Sequence, residues 1–307
     1  MDLDPSALRT MQAVAAAGSV SGAARLLGTS QPAVSQQVRR LERRLGTSLL
    51  ERHGRSVRLT EAGEVLARHG AAVVAAVDAA GQEVAALTGL RAGRVRLVAF
   101  PSSSATVVPR ALALLHERHP GVRVQLTEAE PPEALAELRA GRADVAVVFA
   151  YDNPDAGPDA DLDRLCTRDL LQDPLWLALP AGHPAAEAAH GGPGLGALRE
   201  ETWIAGCPRC RGHLLDLCAA QGFIPEISYA TDDYVAVLGL VAAGLGVAVL
   251  PRLVLGIVSR PDVALRPLRP ASRRRVLAAT TPDLGRVPAI TAALDALATA
   301  ARDLPAR

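Results

Sequence analysis

Cys207-Pro208-Arg209-Cys210 is the stretch of this 307-residue chain whose residue types and spacing most directly offer chemistry. It is expected to open a helix, where free backbone N–H groups and flanking Arg209 and Arg211 favour a thiolate. Two such thiols can close a reversible disulfide. His213 and Cys218 follow, so Cys207, Cys210, His213 and Cys218 also make a candidate four-ligand zinc set. Geometry disfavours that set, because residues five apart on one helix point about 140° away from each other. In a third reading Cys207 and Cys210 only line a cleft, and Cys166 and Cys218 are buried small apolar residues. No cofactor or resident metal is expected.

A second polar group, Ser102-Ser103-Ser104, follows the strand-like run Val95–Phe100 and precedes a helix. Hydroxyls and free N–H groups at a helix start suit an anion, or they simply cap the helix. The chain shows no Ser-His-Asp order and no phosphate-binding glycine loop. Gly244-x-Gly246 lacks the third glycine of a dinucleotide fingerprint and runs into a strand. Enzyme activity is therefore not expected.

The elements that place other polar residues are clearest near the start. Ser30 can cap a helix in which Pro32 occupies the first turn and which Gly46 stops. Val34, Val38, Leu41 and Leu45 share one face. Pro32, Gln36, Arg39 and Arg43 project from the other, flanked by Ser35 and Arg40. Before it, Asp4-Pro5 starts a helix through Leu8, Met11 and Ala15. After Gly18, Ser19 or Ser21 caps a short helix, and Gly28-Thr29 turns into the next. Two short helices joined this way form a helix-turn-helix, whose second member enters a major groove of double-stranded DNA. Residues 50–60 read as two short strands around His53-Gly54, a wing carrying Arg52, Arg55 and Arg58.

These residues carry a resemblance. Gly18-Ser19-Val20-Ser21-x-Ala23-Ala24, Ser30-Gln31-Pro32-Ala33-Val34-Ser35, Leu41-Glu42-x-x-Leu45-Gly46, Arg52 and Leu59-Thr60-x-x-Gly63 closely resemble LysR-type transcriptional regulators over about the first 65 residues. Met11 and Leu50 replace phenylalanines usual there, as volume-tolerant core swaps. Gln36 stands where arginine is frequent, which bears on the operator preferred rather than on DNA binding. Thr29, Ser30, Gln31, Pro32, Ser35, Gln36, Arg39, Arg52 and Arg55 are the candidate DNA contacts.

The net charge of +1 says little, but its distribution is informative. Residues 1–62 hold nine arginines against five acids, whereas the rest holds 24 against 27. A basic excess on the DNA-binding part is the expected electrostatic footprint. The chain has no lysine, an effect of coding bias. Met1-Asp2-Leu3-Asp4-Pro5 has neither the positive region nor the apolar core of an export signal. The uncharged run Tyr234–Leu250 is broken by Gly239, Gly244 and Gly246, so a buried helix, turn and strand are expected rather than a membrane span. A soluble cytoplasmic protein follows, with cysteines not presumed to be structural disulfides.

Leu66, Gly70, Val73, Val77, Ala80, Val84 and Leu87 repeat every seven residues along a helix from Glu61, a weak zipper or a face packed on its own domain. Val95–Phe100, Val122–Thr127 and Asp144–Phe149 alternate with helical stretches, a βαβ pattern on a parallel sheet. A second set runs from Leu175–Leu179 through Trp203–Ala205, Ile227–Ala230 and Val247–Leu250. Val276–Thr280 and a helix near Pro288–Ala301 return to the first. The loop Asp152–Asp163 is expected to be exposed.

Leu240–Pro251 and Leu179–His183-Pro184 also resemble the family's regulatory half, the latter as a structural motif. The resemblance implies an N-terminal all-α winged helix-turn-helix (1–60), a linker and dimerisation helix (61–90), and a periplasmic-binding-protein-like α/β regulatory domain (91–307). That domain divides into subdomain I, about 94–168 and 270–303, and subdomain II, about 169–266. A small-molecule effector would sit between them, against Ser102, Ser103, Ser104, Phe149, Cys207, Pro208, Arg209, Thr231 and Asp232. A homodimer on an inverted-repeat operator, associating further to a homotetramer, is implied as well. A solute-binding protein and a thiol oxidoreductase or redox-responsive regulator built on Cys207 and Cys210 are the competing functions.

Overall fold

The computed structural model describes residues 3–53, 56–87, 93–151, 160–187, 193–256 and 260–304. The first three helices are α1 (Pro5–Ala17), α2 (Val20–Leu26) and α3 (Gln31–Leu45). Asp4 caps α1 by accepting from the Ser6 N–H at 2.9 Å, and Ser19 caps α2 from Gly22 at 3.0 Å. Ser30 caps α3 from Ala33 at 3.4 Å. Gly18 and Gly46 end α1 and α3 with φ of 61° and 69°, a left-handed conformation that favours glycine. Met11, Val38, Leu41 and Leu49 pack into the head's core, and Met11 is fully buried. The wing strands β1 (Leu50–His53) and β2 (Ser56–Leu59) pair antiparallel. Glu42 on α3 accepts from the N–H groups of Leu49 and Leu50 at 2.8 and 3.3 Å, which fixes the wing to the helix.

The linker helix α4 (Glu61–Leu87) divides the expected seven-residue seam. Leu66, Ala67 and Ala71 are buried, and a Cβ on Gly70 would stand 2.1 Å from the Leu8 carbonyl oxygen. The first part of the seam is thus used inside the chain, against α1. Val77 and Val84 are each 59% exposed, and Ala80 is exposed as well. Ala79, on another face of α4, enters the core of the C-terminal part.

That part contains β3 (Arg94–Ala99), α5 (Pro101–Ser104), α6 (Val107–Arg118), β4 (Arg123–Glu128), α7 (Pro131–Arg139), β5 (Val145–Tyr151) and β6 (Cys166–Pro180). It continues with β7 (Thr202–Ala205), α8 (Pro208–Ala219), β8 (Glu226–Ala230), α9 (Tyr234–Ala242), β9 (Val247–Pro251), α10 (Arg252–Leu255), β10 (Val263–Pro267), β11 (Arg273–Thr280) and α11 (Pro288–Arg302). The strand order is β4-β3-β5-β11-β6-β9-β7-β8, with β10 also paired to β6. Helices cover both faces, so the central strands are buried on both sides: β5 is buried from Val145 to Ala150.

Two features differ from the sequence pattern. β6 starts at Cys166 rather than near Leu175: residues up to Pro174 pair with β11, and Leu175–Pro180 pair with β9 and β10. Its early part is charged and largely exposed, so it lacks an apolar alternation to read. β10 ends in Pro267 and has no strong alternation either. β6 therefore crosses from one half of the sheet to the other. The return passage runs beside it, with the Leu175 N–H donating to the Ser272 carbonyl at 2.9 Å. Of the loop expected at 152–163, residues 152–159 lie outside the described residues.

Candidate functional site

On α3 the polar face stands clear of the core. Gln31, Pro32, Gln36 and Arg39 are exposed, as are Thr29 and Ser30 before the helix. Gln31 Nε2 donates to Ser35 Oγ at 3.0 Å, which draws the two side chains together at the helix start. Gln37, on a neighbouring face, is tied inward to Thr10 and Ser6. Arg52 lies on β1, and Arg55 falls outside the described residues.

A second concave site lies where the two halves of the large sheet meet. The wall of this cleft includes Glu130 and Tyr151 from one half and Cys207, Cys210, Thr231 and Asp232 from the other. Cys207 caps α8, and its sulfur accepts from the Cys210 N–H at 3.4 Å. The two Sγ atoms are 3.0 Å apart. Tyr151 Oη donates to Cys210 Sγ at 3.6 Å. The two thiols are shifted in opposite directions. The hydrogen bond from Cys207 lowers the Cys210 pKa, aided by the Arg274 guanidinium and Tyr151 and opposed by burial. That same hydrogen bond, with burial, raises Cys207.

Arg274 is completely buried beneath this wall. Its guanidinium carbon lies 4.4 and 4.9 Å from the Phe149 and Phe100 ring centroids. Its Nε and Nη2 bond Asp173 Oδ2 at 3.0 and 2.9 Å, and Nη2 donates to Ser102 Oγ at 2.6 Å. Asp173 Oδ1 accepts from the Leu253 N–H at 3.0 Å. Charge buried in this way persists only when paired and hydrogen-bonded.

The structure separates the residues that sequence grouped together. Cys207, Thr231 and Asp232 line the cleft. Ser102 and Ser103 are buried: Ser102 holds Arg274, Ser103 Oγ donates to the Phe100 carbonyl, and Ser104 Oγ donates to the Ala99 carbonyl. Their hydroxyls are committed within the fold and form no anion cradle. Phe149 lies under the wall, and Pro208 is exposed in the first turn of α8. Arg209 does not charge the thiols. Nη1 donates to the Phe149 carbonyl at 2.9 Å and Nη2 meets Asp161 Oδ2 at 2.5 Å, so it ties α8 to the other half. Arg211 is exposed, and Arg274 supplies the cation facing Cys210.

The zinc set is not assembled. Cys218 is fully buried in a hydrophobic cluster, with its pKa pushed up to about 11 by burial. His213 stacks on Tyr151 at 3.8 Å and its Nε2 pairs with Ser272 Oγ. Among the described residues no group of three or more His, Cys, Asp or Glu could hold a metal ion. Cys166, expected inside, is exposed at the start of β6. His183 is structural: Nδ1 accepts from the Ala185 N–H and Nε2 pairs with Glu201. Glu130, Tyr151, His213 and Tyr234 were not anticipated in the wall. Glu130 was within reach, since it sits just beyond the C-terminal end of a parallel strand, where such sheets bind ligands.

Residues 5–64 match the bacterial regulatory helix-turn-helix protein, lysR family, and residues 88–302 match the LysR substrate binding domain. The chain belongs to the LysR family. As a LysR-type regulator it is a DNA-binding transcription regulator with an effector-binding domain, which decides against a solute-binding protein. It is 36% identical over 256 residues to a probable hydrogen peroxide-inducible genes activator of Mycobacterium avium, covering 80% of this chain and 76% of that one. One from Streptomyces viridosporus is 32% identical over 314 residues, covering 98% and 95%. A full-length OxyR variant from Pseudomonas aeruginosa superposes with a TM-score of 0.74 at 22% identity, over 97% of this chain and 95% of that one. That last likeness is one of fold. Among the described residues no helix is long and apolar enough to cross a membrane.

Proposed function

We propose that this LysR-type regulator is redox-responsive, with Cys207 and Cys210 as a dithiol–disulfide switch in the wall of its effector cleft. The observation that carries this is the 3.0 Å separation of two sulfurs, one biased toward thiolate, at a junction built from both halves of the regulatory domain. Closing the bond draws them to about 2.05 Å. Arg209 lies between them in sequence and grips Phe149 and Asp161, so the first turn of α8 cannot move without pulling on the other half. The peroxide-inducible activators among its relatives support the same reading. The protein acts by binding rather than as an enzyme, and works in the cytoplasm.

The α3 face reads DNA, with Ser30, Gln31, Pro32 and Ser35 as the base-reading residues and Arg39, Arg52 and Arg55 as the phosphate-holding ones. A dimer, formed through the exposed Val77, Ala80 and Val84 and extended to a tetramer by the regulatory domains, places two heads on an inverted repeat. Selection of bound DNA fragments, with and without hydrogen peroxide, tests the whole reading. An inverted-repeat site whose affinity shifts with peroxide, and no longer does so in Cys207→Ser, is expected. An affinity shift that survives in Cys207→Ser and in Cys210→Ser rules out this switch.

A further inference from the structure

We propose that Glu130 is the proton acceptor for Cys207 as the Cys207–Cys210 disulfide closes, a role that rests on the redox reading above. Glu130 precedes α7 in one half of the domain, and Cys207 caps α8 in the other. Both line the cleft, and the Cys207 thiol is one of the groups that act on the carboxyl. Glu130 Oε2 is buried without any hydrogen-bond partner. The side chain does not cap α7, so the helix leaves the carboxyl free for other work. An unpartnered buried acceptor is costly, which makes this one a candidate for function rather than support.

The groups around it leave few other acceptors. Facing Glu130 are Cys207 on α8, Asp232 before α9, Arg274 on β11 and Glu133 within α7. Arg274 is engaged by Asp173, and Asp232 is exposed at the cleft wall. Tyr151 is protonated and its hydroxyl donates to Cys210. His213 is stacked on Tyr151, with Nε2 engaged by Ser272. Burial raises Glu130 above the ordinary carboxylate range, toward the pH at which proton exchange with a thiol is efficient.

With a hydroperoxide as oxidant the step balances. The Cys210 thiolate attacks the peroxide oxygen, the O–O bond breaks, and Cys210 becomes a sulfenic acid while the leaving alkoxide or hydroxide takes a solvent proton. Cys207 then passes its proton to Glu130, and its sulfur bonds to that of Cys210. The S–O bond breaks, and the departing hydroxide takes the proton from Glu130 as water. Two thiols are oxidised by two electrons and the peroxide is reduced to water and an alcohol, or to two waters.

The test separates the two steps in reduced full-length protein treated with hydrogen peroxide. A sulfenic-acid trap follows the first and mass-resolved thiol loss the second, across pH 5–9. Glu130→Gln is expected to leave sulfenic acid formation unchanged and slow closure about 100-fold near neutrality, so that sulfenic acid accumulates. The rising limb of closure with pH should disappear in Glu130→Gln and return in Glu130→Asp. Closure by Glu130→Gln at the wild-type rate, with the wild-type limb, overturns the proposal. If the wild-type protein itself forms no Cys207–Cys210 disulfide, the redox reading fails and this role with it.

Discussion

On α3 the side chains offered to DNA bond only to near neighbours, Gln31 to Ser35 and Ser30 to the first turn, and the rest of the face is open. Around the cleft the polar groups are drawn from distant stretches: Ser102, Asp173 and Arg274 form one knot, and Phe149, Asp161 and Arg209 another. The head keeps its donors and acceptors for an outside partner, so removing one should alter binding and leave the fold intact. The regulatory domain spends most of its own on itself, so removing one there should alter the fold first. Cys207 and Cys210, bonded to one another, and Glu130, whose Oε2 has no partner, are the exception, and all three line the cleft.

The strongest way to break this contrast is Arg274→Met. It strands Asp173 as a buried unpaired carboxylate, and about 3–5 kcal/mol of unfolding free energy should be lost. Replacing both partners, Arg274→Met with Asp173→Leu, should restore much of it, since apolar groups of similar volume fill such a site without stranded charge. Arg39→Ala on the head should stay within about 0.5 kcal/mol of wild type. Urea titrations of the four proteins measure all of this. Equal, small losses for Arg274→Met and Arg39→Ala would show that the knot is not structural.

Next in size is the head's response on DNA. Gln31→Ala should cost about 1–3 kcal/mol on the selected operator and much less on random duplex, as loss of a base-reading amide does. Arg52→Ala should weaken both nearly equally and reduce the salt slope by about one unit. Fluorescence anisotropy over a salt series gives both quantities. Equal losses on operator and random DNA for Gln31→Ala would place that amide on the backbone instead.

The same contrast explains what the sequence could show. The head is local: its caps, its 3.6-residue stripe and its glycine stops are all read within a few positions, and each has its counterpart in α1, α2 and α3. The cleft is not local. Cys207 and Cys210 were legible because three positions on a helix start suffice to bring them together. Glu130 sits 77 positions earlier and nothing in its own neighbourhood points to a thiol. Arg274 stands in Arg273-Arg274-Arg275, which reads as a solvated charge run. Only the pairing of β11 with both β5 and β6 turns the middle arginine inward. The serines misled for a related reason: hydroxyls after a strand suit an anion, but here the hidden guanidinium and two backbone carbonyls take them.

The smallest effect expected comes from the tie between the halves. Asp161→Asn weakens the ion pair to Arg209 but leaves the Arg209 bond to the Phe149 carbonyl. The Asp161 side chain is 51% exposed, so solvent screens the pair, and the stability change should be about 0.2–1 kcal/mol, shrinking as salt is added. The consequence for the thiols is more informative than the stability. Arg209 holds the first turn of α8, which must shift for the sulfurs to approach from 3.0 Å to bonding distance. If that grip resists closure, its loss should speed disulfide formation by the same free energy, up to about fivefold. The acceleration should fade in high salt, where wild type and Asp161→Asn converge. A stability loss with no change in closure rate would assign Arg209 to the closed packing of the two halves alone. The cysteines would then signal through some other movement of α8.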